Sequence, residues 1–91
     1  MVTIELPRSL LGPDDHATVE LKEKVNTVGD AIRALERYSP TAIDSVLDEQ
    51  GKLRQHVNVF LNEENTRFLS GLDTPAPDGS RIYVLGAISG G

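Results

Sequence analysis

The sequence contains no cysteine. That excludes a disulfide framework, a thiolate nucleophile and a cysteine-based zinc cluster. Positive charge is scarce. Nine Lys and Arg stand against fourteen Asp and Glu, for a formal net charge of −5. Nucleic-acid phosphates are held by clustered Lys and Arg, so this balance argues against a nucleic-acid partner. It favours a basic patch on another protein. No apolar run is long enough to span a bilayer, and no basic stretch followed by an apolar one opens the chain. The expectation is a cytoplasmic protein with no membrane partner. The chain is also short. Its 91 residues read as one domain, and a chain of that size buries only about 60–65% of its unfolded surface. One small core leaves little room for a deep active site that excludes water.

The usual catalytic patterns are missing as well. There is no Walker loop and no dinucleotide glycine motif. Ser9, Ser70 and Ser80 lack a Gly-x-Ser-x-Gly context. His16 and His56 lie far apart, without metal-ligand spacing, and read as exposed or lightly packed. No metal site is expected. Asp14-Asp15, Asp48-Glu49 and Glu63-Glu64 are adjacent acids in turns, which are ordinarily solvated.

What is present is patterning. Val2-Thr3-Ile4-Glu5-Leu6 and Ala17-Thr18-Val19-Glu20-Leu21 alternate apolar and polar residues, predicting two half-buried strands in a hairpin. The period then becomes helical: Val28, Ile32 and Leu35, with Ala31 beside them and Tyr38 one turn on. Thr27 is placed as N-cap, with Asp30 three residues later in a capping-box position. Pro40 is expected to limit this main helix. Ile43, Val46 and Leu47 predict a second short helical segment, closed near Gly51. Val57-Asn58-Val59-Phe60-Leu61 is the strongest strand signal in the chain. Asn62 to Asn65 reads as a turn, Arg67-Phe68-Leu69 as a short edge strand, and Leu72 to Pro77 as irregular. Pro77-Asp78-Gly79-Ser80 reads as a tight turn before a last strand, Arg81 to Leu85. The predicted class is α+β, a sheet with one main helix on one face and the other face open to solvent or a partner. Residues 1–85 form the domain, and residues 86–91 form a flexible tail ending in Gly-Gly.

The order of elements and several local motifs together resemble the ubiquitin-like β-grasp sulfur carriers, the MoaD/ThiS type. The motifs are Val57-Asn58-Val59-Phe60-Leu61-Asn62-Glu63-Glu64, Arg67-Phe68, Gly71-Leu72-Asp73-Thr74-Pro75, Asp78-Gly79 and the terminal Gly90-Gly91. The Arg-Phe and Gly-Leu-x-Thr segments look most like the carriers of cysteine biosynthesis. Two positions depart from the family: Ser80 stands where Asp is common, and Gly86 where Pro is common. The resemblance implies a β-grasp fold with a mixed sheet of four to five strands, its first and last strands parallel at the centre. It implies no catalytic residues and no bound cofactor. The reactive group would be the Gly91 carboxylate, adenylated with ATP by a ubiquitin-activating-like enzyme (MoeB/ThiF type). The product would be a C-terminal thiocarboxylate (1-thioglycine), which gives its sulfur to a synthase such as a cysteine synthase. The alternatives are a small subunit of molybdopterin synthase, a ubiquitin-like modifier joined through Gly91 to lysines, and an inert β-grasp domain.

The tail composition suits such chemistry. An ionised α-carboxylate is a poor electrophile near neutral pH, and a mixed anhydride with AMP makes it reactive. Glycine at Gly90 and Gly91 lets the backbone enter a narrow channel. Ser89 and Ala87 are small, and Ile88 is read as packing against the channel wall. The bland reading is that a short Gly-Ser end is simply frayed. Strand parity further sends Phe60 away from Val57, Val59 and Leu61, and sends Tyr83 and Leu85 away from Ile82 and Val84. These three are the candidate partner-binding residues. Their face is either a docking patch or a surface partly covered by loops.

Overall fold

The computed structural model describes residues 1–8 and 17–86. Strands β1 (Val2–Glu5) and β2 (Thr18–Leu21) pair antiparallel, with Ile4 opposite Val19. Strand β3 (Val57–Leu61) turns into a two-residue β4 (Glu64–Asn65), and β5 covers Arg81–Gly86. The sheet order is β2-β1-β5-β3-β4. β1 and β5 run parallel, Ile4 beside Ile82, while β3 runs antiparallel to β5. Two seven-residue helices, α1 (Val28–Ala34) and α2 (Pro40–Val46), cover one face.

Alternation decides which face is covered. Val2, Ile4, Leu21, Val57, Val59, Ile82 and Val84 take alternate strand positions and are buried against Val28, Ala31, Ile32, Leu35, Ala42 and Val46. Each such Val, Leu or Ile contributes roughly 1.5–3 kcal/mol. An exposed ion pair contributes roughly 0–1 kcal/mol, so charge does not set the face.

Local hydrogen bonds place α1. Thr27 Oγ1 accepts from the Asp30 N–H at 3.0 Å, and Asp30 Oδ2 accepts from the Thr27 N–H at 3.3 Å, closing the capping box read from the sequence. The irregular 72–76 segment then clamps the helix start. The Val28 N–H donates to the Thr74 carbonyl at 2.8 Å, and the Ala76 N–H to the Asn26 carbonyl at 2.9 Å. The approach requires glycine at Gly29, where a Cβ would sit 2.9 Å from the Leu72 carbonyl oxygen.

Four details differ from the sequence reading. Tyr38 does not extend the buried stripe, because the helix tightens into a 3₁₀ turn at Leu35–Arg37 and rotates it outward. It is 37% exposed, and its hydroxyl donates to Glu23 Oε1 at 2.8 Å. Pro40 does not merely stop α1. It is the first residue of α2, where its missing N–H costs no hydrogen bond. Arg67-Phe68-Leu69 is not a strand. Thr66 Oγ1 donates to the Val59 carbonyl at 2.8 Å and Asn65 Oδ1 accepts from the Arg67 N–H at 2.9 Å, so local side-chain bonds bend the chain into a 3₁₀ turn, Thr66–Phe68. Finally, Gly86 belongs to β5 rather than to the tail, because the ladder continues as far as its partner Val57.

The two helix caps are unequal. Thr27 caps α1, whereas Ser39, at the N-cap of α2, is fully buried and its Oγ has no hydrogen-bond partner among the described residues. Thr27→Ala should lower unfolding free energy by about 1 kcal/mol. Ser39→Ala should be neutral or stabilising, since it removes a desolvated hydroxyl. Urea unfolding of both variants checks the contrast.

Candidate functional site

The site is built around the end of β5. This strand is flanked by β1 as far as Tyr83, and its last residues, Val84 to Gly86, are held by the ladder with β3. Leu85 lies opposite Asn58 and Gly86 opposite Val57. The chain therefore leaves the sheet beside the start of β3. Ala87, Ile88, Ser89, Gly90 and Gly91 lie outside the described residues, as does His16. Five residues beyond Gly86 give a maximum reach of about 17 Å.

Beside this exit is the sheet face away from the helices. Phe60 and Tyr83 are direct cross-strand partners, and Leu85 follows two residues on from Tyr83 on the same face. Leu85 is 47% exposed, and Phe60 and Tyr83 are half-buried, while Val59 and Val84, one residue away from each, are buried. No described helix lies over these three side chains. The β1–β2 half of the face is polar. Arg81 pairs with Glu5, whose Oε1 accepts from Thr18 Oγ1 at 2.7 Å, and Glu20 is exposed. The face thus has an apolar part next to the exit and a polar flank farther away.

A groove of about 380 Å³ borders the exit on the other side, along the edge of β3. Arg54, Gln55, Asn58, Asn65 and Arg67 line it, with Val57 and Val59 at its floor. No pattern along the chain announces this cluster. Arg54 and Arg67 are far apart along the chain, and only the β3–β4 hairpin brings them to one groove. Nearby, Asp48 is held below the ordinary carboxylate range, chiefly by the backbone N–H of Lys52, then by that of Gln50, with Arg54 adding a smaller coulombic part; burial opposes them. A larger groove, about 690 Å³, includes Val2, Leu21, Val25 and Ala76 at the opposite end of the sheet, where β1 and β5 begin.

Among the described residues no group of three His, Cys, Asp or Glu is placed to hold a metal ion. No helix among them is long and apolar enough to cross a membrane. His56 is exposed just ahead of β3. Phe68, read from the sequence as part of an edge strand, is instead the most exposed large apolar side chain among the described residues, at 85%.

A mixed five-stranded sheet with its last strand central and parallel to its first, helices on one face and a free exit at the other end, defines a ubiquitin-like β-grasp protein. The chain belongs to the ThiS family, whose profile matches residues 7–91. Its relatives carry the names of small sulfur carriers and modifiers. It is 32% identical over 92 residues to the sulfur carrier protein CysO of Mycobacterium tuberculosis, covering 99% of this chain and 98% of that one. It is 38% identical over 66 residues to small archaeal modifier protein 3 of Haloferax volcanii, covering 71% and 70%. Its structure matches a chain of the Amycolatopsis orientalis BexX/CysO complex with a TM-score of 0.79 at 31% identity, covering 100% of both chains.

The two faces of β3 should respond differently to charge. Val59→Asp, on the helix side, should unfold the domain, because it buries a carboxylate among apolar groups. Phe60→Asp should leave a cooperative fold. Phe60→Ala should cost less than the roughly 3–5 kcal/mol typical of a fully buried Phe. Thermal and urea unfolding measure all three. A full-sized loss at Phe60 would mean that this face is packed.

Proposed function

We propose that this protein carries sulfur on the α-carboxylate of Gly91, and that the sulfur goes to the biosynthesis of cysteine or a related metabolite. The observation that carries the proposal is the exit of β5. Strand β5 ends at Gly86 at one end of the sheet, on the strand that carries the partly open Tyr83 and Leu85 and beside Phe60 of β3. Membership of a family of carriers and modifiers supports the same reading.

In the first step the Gly91 carboxylate attacks the α-phosphorus of ATP, held by a ubiquitin-activating-type enzyme, and pyrophosphate leaves. In the second, a sulfur nucleophile attacks the acyl carbonyl, and AMP leaves. The thiocarboxylate is then the sulfur donor for an accepting synthase. This protein supplies no acid, base or metal to these steps. It supplies a reachable carboxylate on small residues and a surface that positions it. A partner reading Phe60, Tyr83 and Leu85 holds the domain still while Ile88, Ser89, Gly90 and Gly91 enter its channel. Effective concentration of the reacting carboxylate is thereby raised without any other group of the carrier taking part in the reaction.

A second reading is a protein modifier, with Gly91 joined to lysine amines. The 38% identity to small archaeal modifier protein 3 favours keeping it. Intact-mass analysis of the protein from its native cell separates the two. Replacement of one oxygen by sulfur supports the carrier, and branched conjugates support the modifier. The remaining alternative, the small subunit of molybdopterin synthase, differs only in the acceptor, and assay against a molybdopterin precursor tests it.

Three tail variants have distinct expected outcomes. Deleting Gly90 and Gly91 should leave the thermal midpoint nearly unchanged and abolish ATP-dependent adenylation. Gly91→Ala should slow thiocarboxylate formation by on the order of 100-fold, because a methyl at the reacting α-carbon displaces the carbonyl from its line of attack. Ser89→Ala should matter little, since serine already carries a Cβ. Single-turnover kinetics decide it: equal rates for Gly91→Ala and wild type would overturn the proposal that the glycine end is read by shape.

A further inference from the structure

The chain has a formal net charge of −5, yet the groove along the β3 edge is lined by two arginines and no carboxylate side chain. Arg54 is held through its backbone and its side chain, and Arg67 through its backbone. The Arg54 N–H donates to the Val46 carbonyl at 3.0 Å, and its Nε donates to the Asp44 carbonyl at 2.7 Å. That leaves the outer guanidinium nitrogens to face other groups. The Arg67 N–H is bonded to Asn65 Oδ1 in the turn that Thr66 anchors to Val59. Among the described residues, neither guanidinium lies within 4.0 Å of a carboxylate; the ion pairs there use Arg33, Arg37, Arg81 and the Met1 amine. Asp48, the acid nearest in effect to Arg54, already accepts the N–H groups of Gln50 and Lys52 at 2.9 and 3.0 Å.

The groove lies on the strand next to the exit. Val57 at its floor pairs with Gly86, and Asn58 on its wall pairs with Leu85. A protein that covers Leu85 and takes the tail from Gly86 onward has its rim beside this groove. Covering two guanidiniums strips water from them, which is unfavourable unless carboxylates replace it. Arginine suits that role because its planar fork bonds both oxygens of one carboxylate.

We propose that Arg54 and Arg67 receive carboxylate side chains of the partner protein that takes the tail. The inference rests on the docking reading of the preceding section and names the charge the partner must carry. Together with Glu20 on the far flank, the two arginines give the docking face an electrical direction. An apolar patch alone tolerates several orientations, and a basic edge on one side selects the one that aims the tail into its channel. The occupant is a protein rim and not a free phosphate, because Leu53, Val57 and Val59 give the groove apolar lining as well as charge. Its carboxamides, Gln55, Asn58 and Asn65, also offer acceptors as well as donors.

The test is steady-state adenylation of the full-length chain by the adenylating enzyme of the same organism. The variants are Arg67→Gln, Arg54→Gln, the double variant and Arg67→Lys, each assayed at low and high salt. Thermal midpoints are measured alongside. Arg67 is exposed on a turn, so Arg67→Gln keeps the test valid if Arg54→Gln impairs folding. Arg67→Gln should raise KM for the carrier by about tenfold at low salt, with kcat within about twofold, as expected of a rim charge acting on encounter. The double variant should show a larger rise and a flatter salt dependence than wild type. Arg67→Lys should recover part of the loss. A double variant with wild-type KM and wild-type salt dependence overturns the inference. So does saturable binding of inorganic phosphate at the two guanidiniums, followed by NMR, if phosphate leaves KM for the carrier unchanged. Failure of the enzyme to adenylate even the wild type is a different result. It removes the carrier reading itself, and this inference with it.

Discussion

Strand β5 hydrogen-bonds to β1 on one side and to β3 on the other, and nearly every other feature depends on that double pairing. The parallel ladder with β1 joins the two ends of the chain at the sheet centre, so the domain closes only when its last strand is in place. It buries Ile82 and Val84 completely against the helices. It also fixes the direction and position in which the chain leaves. An edge strand could fray and carry the exit with it. A central strand holds Gly86 within a ladder that is stable as long as the domain is folded.

The same pairing gives the sheet two unequal faces. Strand parity allows no compromise: placing Val84 in the core places Tyr83 and Leu85 outside it. The helices are short, and both sit on one side, where the capping box and the 72–76 clamp hold α1. Among the described residues no second layer of helices covers the other face. Its partly open apolar side chains are therefore a direct consequence of building one small core. In a carrier that consequence is useful, because a flat face beside a tail exit lets an enzyme hold the body while it works on the end.

Electrostatics adds orientation rather than stability. The Glu5–Arg81 pair is surface-exposed to a degree at which such pairs contribute little. Among the described residues the guanidiniums of Arg54 and Arg67 take part in no ion pair, although Arg54 also ties itself to the Asp44 carbonyl, and in the proposed docking they stand where the partner passes. The chain is acidic as a whole, so a local basic edge is a distinctive feature against that background.

Much of this was legible in the residues themselves. Alternation located β1, β2, β3 and β5, and the Thr27–Asp30 spacing located the start of α1, because these signals act between residues a few positions apart. Parity was enough to separate Phe60, Tyr83 and Leu85 from the core. What local patterning could not decide was anything set by groups distant in sequence. Tyr38 kept helical spacing but left the core when the helix tightened. The residues Arg67-Phe68-Leu69 looked extended, but Thr66 found the Val59 carbonyl and bent the chain. Gly86 looked like the start of a tail until Val57 offered it a partner. The meeting of Arg54 with Arg67 has no signature in the sequence, because it exists only once the β3–β4 hairpin and the turn after it have formed. Periodicity is a property of the chain and survives unfolding; a groove is a property of the folded surface, and only long-range pairing creates it.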